Sequence, residues 1–173
     1  MGEPACAGAA AVDSRIASVS PAASIRSAVP VRLEQLPPAV FEIPVRVYYE
    51  DTDAGGIVYH ANYLRFFERA RTDWLRSLGA VHSRIADDSD AVFVVRDMTI
   101  DFQVPARLDD LLSVDVRVLQ VRRATLQLAQ VARRHETGEM LVMSTMRIAA
   151  IDRRSARPVG LPRWLIERIA PPV

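Results

Sequence analysis

The chain has 173 residues, half of them apolar, with a formal net charge of +1 and a single cysteine, Cys6. That length fits one domain with a sizeable core. The near-neutral balance gives no global argument for nucleic acid or an anionic membrane surface. One cysteine excludes an intramolecular disulfide framework and suits a reducing compartment, so a cytoplasmic location is expected, and no run of about eighteen apolar residues signals a membrane span.

Residues 1–40 are rich in Ala, Ser, Val and Pro, carry almost no aromatics and show no sustained period. They are expected to be a disordered extension ahead of one domain over 41–170. Glu3 sits where a signal peptide would carry positive charge, and no long apolar run follows it. Val45, Val47 and Tyr49 alternate with Arg46, Tyr48 and Glu50, which predicts a strand, and Asp51–Gly56 reads as a loop. From Tyr59 onward Tyr63, Phe66, Phe67, Ala70, Trp74, Leu75 and Leu78 recur at threes and fours, the apolar face of a helix of about four turns. Gly79 is its C-terminal stop. Residues 80–90 read as a polar connection. Val92, Val94, Arg96, Met98, Ile100 and Phe102 predict a long alternating strand ended by Pro105. Three more strands follow, Leu111–Val121, Ala124–Arg134 and Met140–Ile151, joined by turns at Arg122-Arg123 and at Glu136–Glu139, and a short helix is expected over Trp164–Ile169. One helix and five antiparallel strands make a two-layer α+β domain.

The richest stretch is Val45–Thr72. It passes from a strand through an acidic turn with two glycines into an amphipathic helix, so Asp53 stands just before the unpaired N–H groups of a helix start. Those groups carry roughly half an elementary charge of positive character. A carboxylate beside such a terminus suits acyl transfer. The bland alternative for Asp53 is an N-cap or an Asx-turn. Asp51 reads better as a loop former that accepts backbone N–H groups.

Tyr48–Gly56, Val58–His60, Tyr63 and Glu68–Thr72, with a second block at Phe93–Phe102 and Pro105–Asp110, resemble the signature of the hotdog-fold acyl-CoA thioesterases. The likeness is to the 4-hydroxybenzoyl-CoA thioesterase family and its YbgC branch, associated with the Tol-Pal envelope system, and it spans residues 42–168. It implies a hotdog fold, a five-stranded antiparallel sheet wrapped around one long central helix. It implies hydrolysis of acyl-CoA to free acid and coenzyme A, with Asp53 as nucleophile or general base. It also implies a backbone N–H at His60 as the oxyanion donor. The His60 side chain either assists the leaving thiolate or orients the acyl group, or is a packed or capping histidine near the helix start.

Gly55 and Gly56 admit positive φ and close approach of substrate, and Tyr59 and Asn62 are candidates for the acyl pocket. Val94 and Val95 fall on the strand that faces the neighbouring subunit's site in the family. Arg96, Arg107, Arg122 and Arg123 are candidates for the phosphates of coenzyme A. The expected assembly is a homodimer or homotetramer, with acyl carrier protein or Tol-Pal components as further partners. No cofactor and no metal are expected, since Asp51, Asp53 and His60 have no further ligand cluster beside them. Asp97 and Gln103 depart from the branch pattern and are expected to lie clear of the site. Two rivals remain, a hotdog dehydratase or hydratase on acyl thioesters and a non-catalytic adaptor; the Asp-x-x-Gly-Ile-Val order favours hydrolysis over the former.

Overall fold

The computed structural model describes residues 32–80 and 91–169. Most of the N-terminal extension and, Ala80 apart, the polar connection expected over 80–90 lie outside them. Strands β1 (Phe41–Arg46), β2 (Ala91–Phe102), β3 (Leu111–Val121), β4 (Thr125–Arg134) and β5 (Met140–Asp152) form one antiparallel sheet. Its order is β1-β3-β4-β5-β2, so β1 and β2 are the edges. Helix α1 (Asn62–Ser77) packs on one face, and a short helix α2 (Arg163–Ile169) follows β5. This is the two-layer arrangement expected of a hotdog domain.

The helix lies where its apolar stripe requires. Tyr63, Phe66, Phe67, Ala70, Trp74 and Leu75 are all buried against Val45, Val114, Val116, Leu128 and Met146 of the sheet. Full burial of one such large side chain contributes about 1.5–3 kcal/mol. At the C-terminal end the chain leaves the helix through Gly79, whose φ of +80° a side chain would strain. Arg168 of α2 donates to the Leu78 carbonyl and stacks its guanidinium on Trp164, 5.4 Å from the ring centre. Two cationic and aromatic groups from the chain end thereby cover the negative pole of α1.

Three expectations shift. The first strand runs from Phe41 to Arg46, and Tyr49 falls in a 3-10 turn, Tyr49–Asp51, with 84% of its surface exposed. Val45 and Val47 do face the core, but the Asp51 carboxylate takes the Tyr48 N–H and turns the chain before the alternation reaches Tyr49. Helix α1 starts at Asn62 rather than Tyr59, because the Val58 and Tyr59 N–H groups are held by carbonyls of Ala106 and Asp51. In β2 a bulge between Val95 and Asp97 resets the alternation. Ala91 and Phe93 face the core before it, Met98 and Ile100 after it, so Val92 and Val94 do not share a face with Met98. Among residues 32–40, Val40 donates to the Val116 carbonyl at 2.9 Å and Arg117 holds the Pro37 carbonyl at 2.6 Å.

A buried polar tie fixes the helix to the sheet. Gln130 of β4 is fully buried; its Nε2 donates to the Phe67 carbonyl of α1 and its Oε1 accepts from Arg71 at 2.5 Å. Burial lowers the Arg71 pKa from the ordinary arginine value, while the Glu68 carboxylate beside it pulls the other way. Gln130→Leu keeps roughly the volume and strips the buried guanidinium of a neutral acceptor. The expected cost is about 2–4 kcal/mol, read as a lower urea midpoint with an unchanged slope.

Candidate active site

The loop from Tyr48 to Ala61 is closed by its own backbone. The Asp51 side chain accepts from the Tyr48 N–H at 2.9 Å, while the Asp51 carbonyl accepts from the Tyr59 N–H at 2.9 Å and from the Asn62 amide at 3.0 Å. Inside that ring a tight turn carries Asp53. Gly56 N–H donates to the Asp53 carbonyl, Asp53 N–H to the Ile57 carbonyl, and Thr52 bridges Val58. Gly56 takes φ +71°. Gly55 does not; it lacks a side chain for a different reason, since a Cβ there would stand 3.0 Å from the Asp53 carboxylate. The Gly55 N–H instead donates to Asp53 Oδ1 at 2.7 Å. One carboxylate oxygen is thus anchored, and Oδ2 has no partner among the described residues.

The second motif block buttresses this loop. Val58 N–H donates to the Ala106 carbonyl, Ile57 bridges Arg107, and the Ala106 N–H donates to the Tyr63 hydroxyl at 3.0 Å. Burial raises the Tyr63 pKa above the ordinary tyrosine value, so the phenol is neutral. Asp110 takes the Arg107 N–H at 2.8 Å and pairs with Arg134. The Pro105–Asp110 residues therefore hold the loop in place from behind.

Between these blocks lies a cavity of about 300 Å³, lined by Asp53, Ile57, Val58, His60, Tyr63 and the run Phe102–Pro105, with Val142 at the back. Aromatic edges shape it, with the His60 ring 6.3 Å from Phe102 and Tyr63 5.9 Å from Phe102. Helix α1 begins beside it with no side-chain cap, its N-cap residue being Ala61. Among the described residues the N–H groups of Val58, Tyr59 and Asn62 are all taken, whereas those of His60 and Ala61 have no acceptor. An anchored carboxylate and a residue with an unpaired N–H just ahead of the helix, both lining one small, mostly apolar cavity, can bind a polarised carbonyl and attack it.

Of the residues singled out from sequence, Asp53 and His60 line this cavity, and Gly55 and Gly56 shape the turn that holds Asp53. Tyr59 is half-exposed with its ring against His60, 4.4 Å centre to centre. Asn62 is buried and spends its amide on the Asp51 carbonyl. Val94, Val95 and Arg96 sit at the far end of β2; Val94 is roughly 26 Å of strand from Phe102. Arg122 and Arg123 lie in the β3–β4 turn, at that same far end, since Thr125 and Val94 both stand opposite Ala149. Arg107 alone of the four arginines adjoins the loop, through its bridge to Ile57. Gln103, expected to stay clear of the site, lines the cavity. The reason is local: the Gln103 and Val104 N–H groups both donate to the Leu141 carbonyl, which ends the alternation and turns consecutive residues inward. Tyr63 and Val142 also belong to the cavity; in sequence they are indistinguishable from core residues, because only the register of distant segments brings them there.

Comparison with known proteins shows the family to which the chain belongs. The thioesterase superfamily pattern matches residues 55–141. The acyl-CoA thioesterase YbgC of Haemophilus influenzae is 46% identical over 123 residues, covering 71% of this chain and 89% of that protein. A crystal structure of a probable thioesterase from Bartonella henselae aligns with a TM-score of 0.65 at 38% identity, over 70% of this chain and 98% of that one. The 1,4-dihydroxy-2-naphthoyl-CoA thioesterase of Synechocystis, at 24% identity, shares the fold with a TM-score of 0.70 over 75% of this chain and 94% of its own. The tied loop, the anchored aspartate and the uncapped helix start are thus set in a chain that belongs to the thioesterase superfamily, in its YbgC branch.

Proposed function

We propose that this protein hydrolyses acyl-CoA thioesters to the free acid and coenzyme A, with Asp53 as the carboxylate and the His60 N–H as the oxyanion donor. The observation that carries the reading is that Asp53, with one carboxylate oxygen anchored, and His60, with its N–H unpaired among the described residues, line one cavity. The thioester carbonyl oxygen accepts from the His60 N–H, where the helix start adds partial positive charge. The free oxygen of Asp53 then either attacks the carbonyl carbon, giving a mixed anhydride that water cleaves, or takes a proton from the attacking water. Both routes expel a thiolate, a leaving group that needs little acid assistance.

The functional unit in this reading is at least a dimer. Strand β2 presents twelve residues of unpaired edge in the protomer, with Val95 and Phe102 about half exposed on it. A long uncovered edge favours pairing with another strand. Two copies of β2 running antiparallel about Met98 would set the partner's Val94 alongside Phe102, at the rim of the cavity. Val94, Val95 and Arg96 then complete the site of the other subunit. Sedimentation of the full chain is expected to give a dimer or tetramer, and Val95→Glu to shift it toward monomer with loss of activity; a fully active monomer would refute the shared site.

Thiol release from a panel of short, long and aromatic acyl-CoAs tests the chemistry. Wild type is expected to turn over, and Asp53→Asn to lose activity by several hundredfold with its circular dichroism unchanged. His60→Ala keeps the backbone donor and is expected to lose less than about tenfold. Turnover that survives Asp53→Asn would move the carboxylate role elsewhere.

Asn62→Ala unties the helix start from the Asp51 carbonyl. It is expected to cost about 1 kcal/mol of stability and to lower kcat about tenfold with little change in KM, as measured by urea unfolding and steady-state kinetics.

A further inference from the structure

Four residues with polar side chains line the cavity: Asp53, His60, Tyr63 and Gln103. One oxygen of Asp53 is anchored on the Gly55 N–H, and the other is free for chemistry. The Tyr63 hydroxyl accepts from the Ala106 N–H, and the His60 ring lies against Tyr59 and meets Phe102 edge-on. Gln103 is the fourth, and it is fixed at two points. Its backbone is pinned, since the Gln103 and Val104 N–H groups share the Leu141 carbonyl. Its side chain is pinned by Asp101, whose Oδ2 accepts from Gln103 Nε2 at 3.0 Å.

A carboxylate only accepts, so the contact with Asp101 also fixes which way round the amide sits. The NH2 group is turned to Asp101, and Oε1 is left as an acceptor with no donor among the described residues. Two free acceptors, Asp53 Oδ2 and Gln103 Oε1, thus belong to residues of one cavity wall. A water that attacks a carbonyl must give up one proton and turn its second hydrogen away from the carbon. One acceptor for each hydrogen meets both demands and leaves a lone pair for the carbonyl carbon. The cavity of about 300 Å³ has room for that water beside an acyl group, since a water takes up roughly 30 Å³.

We propose that Gln103 is a positioning residue for the hydrolytic water, which it holds through Oε1 while Asp53 acts as the general base. The inference rests on the thioesterase reading above. In the step the water oxygen bonds to the carbonyl carbon as one of its protons passes to the free Asp53 oxygen. The other hydrogen stays on Gln103 Oε1, and the carbonyl oxygen takes up negative charge against the His60 N–H. When the carbonyl re-forms, the C–S bond breaks and the thiolate leaves with the electron pair. The proton on Asp53 passes to that thiolate, which restores the carboxylate. Asp101 acts through Gln103, by keeping the amide from turning its NH2 group toward the water.

Methanol separates this role from a structural one. It has a single O–H hydrogen, so it needs Asp53 and has nothing to give Gln103. Wild type, Gln103→Leu and Asp101→Ala are compared on the acyl-CoA that wild type turns over best, in water and at one fixed methanol concentration. Thiol release gives the total rate, and chromatography gives the ratio of methyl ester to free acid. Gln103→Leu is expected to lower kcat for hydrolysis about tenfold with little change in KM, and to raise the ester-to-acid ratio by a similar factor. Asp101→Ala is expected to move both readouts the same way by a smaller factor. An ester-to-acid ratio in Gln103→Leu equal to that of wild type, whatever the loss in rate, overturns the proposal, as does hydrolysis that Gln103→Leu does not slow. Failure of wild type to release thiol from any acyl-CoA, with no methanol present, sinks the thioesterase reading itself, and this proposal with it.

Discussion

The site depends on how Asp51 is used. Its carboxylate closes the turn at Tyr48, and its carbonyl receives both the Tyr59 N–H and the Asn62 amide. One residue thereby joins the end of β1 to the start of α1 and sets the span across which Asp53 is presented. The aspartate two residues on is exposed, and among the described residues its carboxylate makes a single hydrogen bond, from the Gly55 N–H. Division of labour between neighbouring carboxylates follows from their surroundings: the buried one is spent on backbone donors, and the exposed one keeps an oxygen free.

Behind the loop, stability and registry come from different sources. The aromatic stripe of α1 supplies the apolar burial, which is strong and indifferent to small slips. Polar ties supply the exact seating. Gln130 and Arg71 allow one axial position of the helix on β4, and Tyr63 fixes the Pro105–Asp110 block against the loop. On the other face of the sheet, Asp115 is completely buried yet meets Arg117, Arg133 and the Val131 N–H. A charge so enclosed is tolerable only with all its acceptor sites engaged, and that demand links β3 to β4 in one register.

Much of this was legible in sequence, and the failures have identifiable causes. The helix and the three C-terminal strands could be read because long periodic runs leave few alternatives. The placement of Asp53 in a turn ahead of the helix was legible because it is local: a turn, two glycines and a helix start lie within ten residues. The bulge at Arg96 was not, since a bulge leaves the hydrophobic alternation superficially intact while reversing which residues face inward. The end of β1 was missed because a side-chain hydrogen bond from Asp51 overrode an alternating pattern that continued to Tyr49. Gln103, Tyr63 and Val142 became site residues through the shared Leu141 carbonyl, the Ala106 contact and the β2–β5 register, none of which a linear pattern records.

The turn that carries Asp53 is held almost wholly by main-chain atoms: the Gly55 and Gly56 N–H groups, the Asp53 N–H with the Ile57 carbonyl, and the Val58 N–H with Ala106. Main-chain donors and acceptors are the same for nearly every residue type. Beyond the two glycines and the Asp51 and Asn62 ties, side chains on the cavity walls carry none of the turn's hydrogen bonds, so those walls can be remodelled for new acyl groups without moving the Asp53 carboxylate.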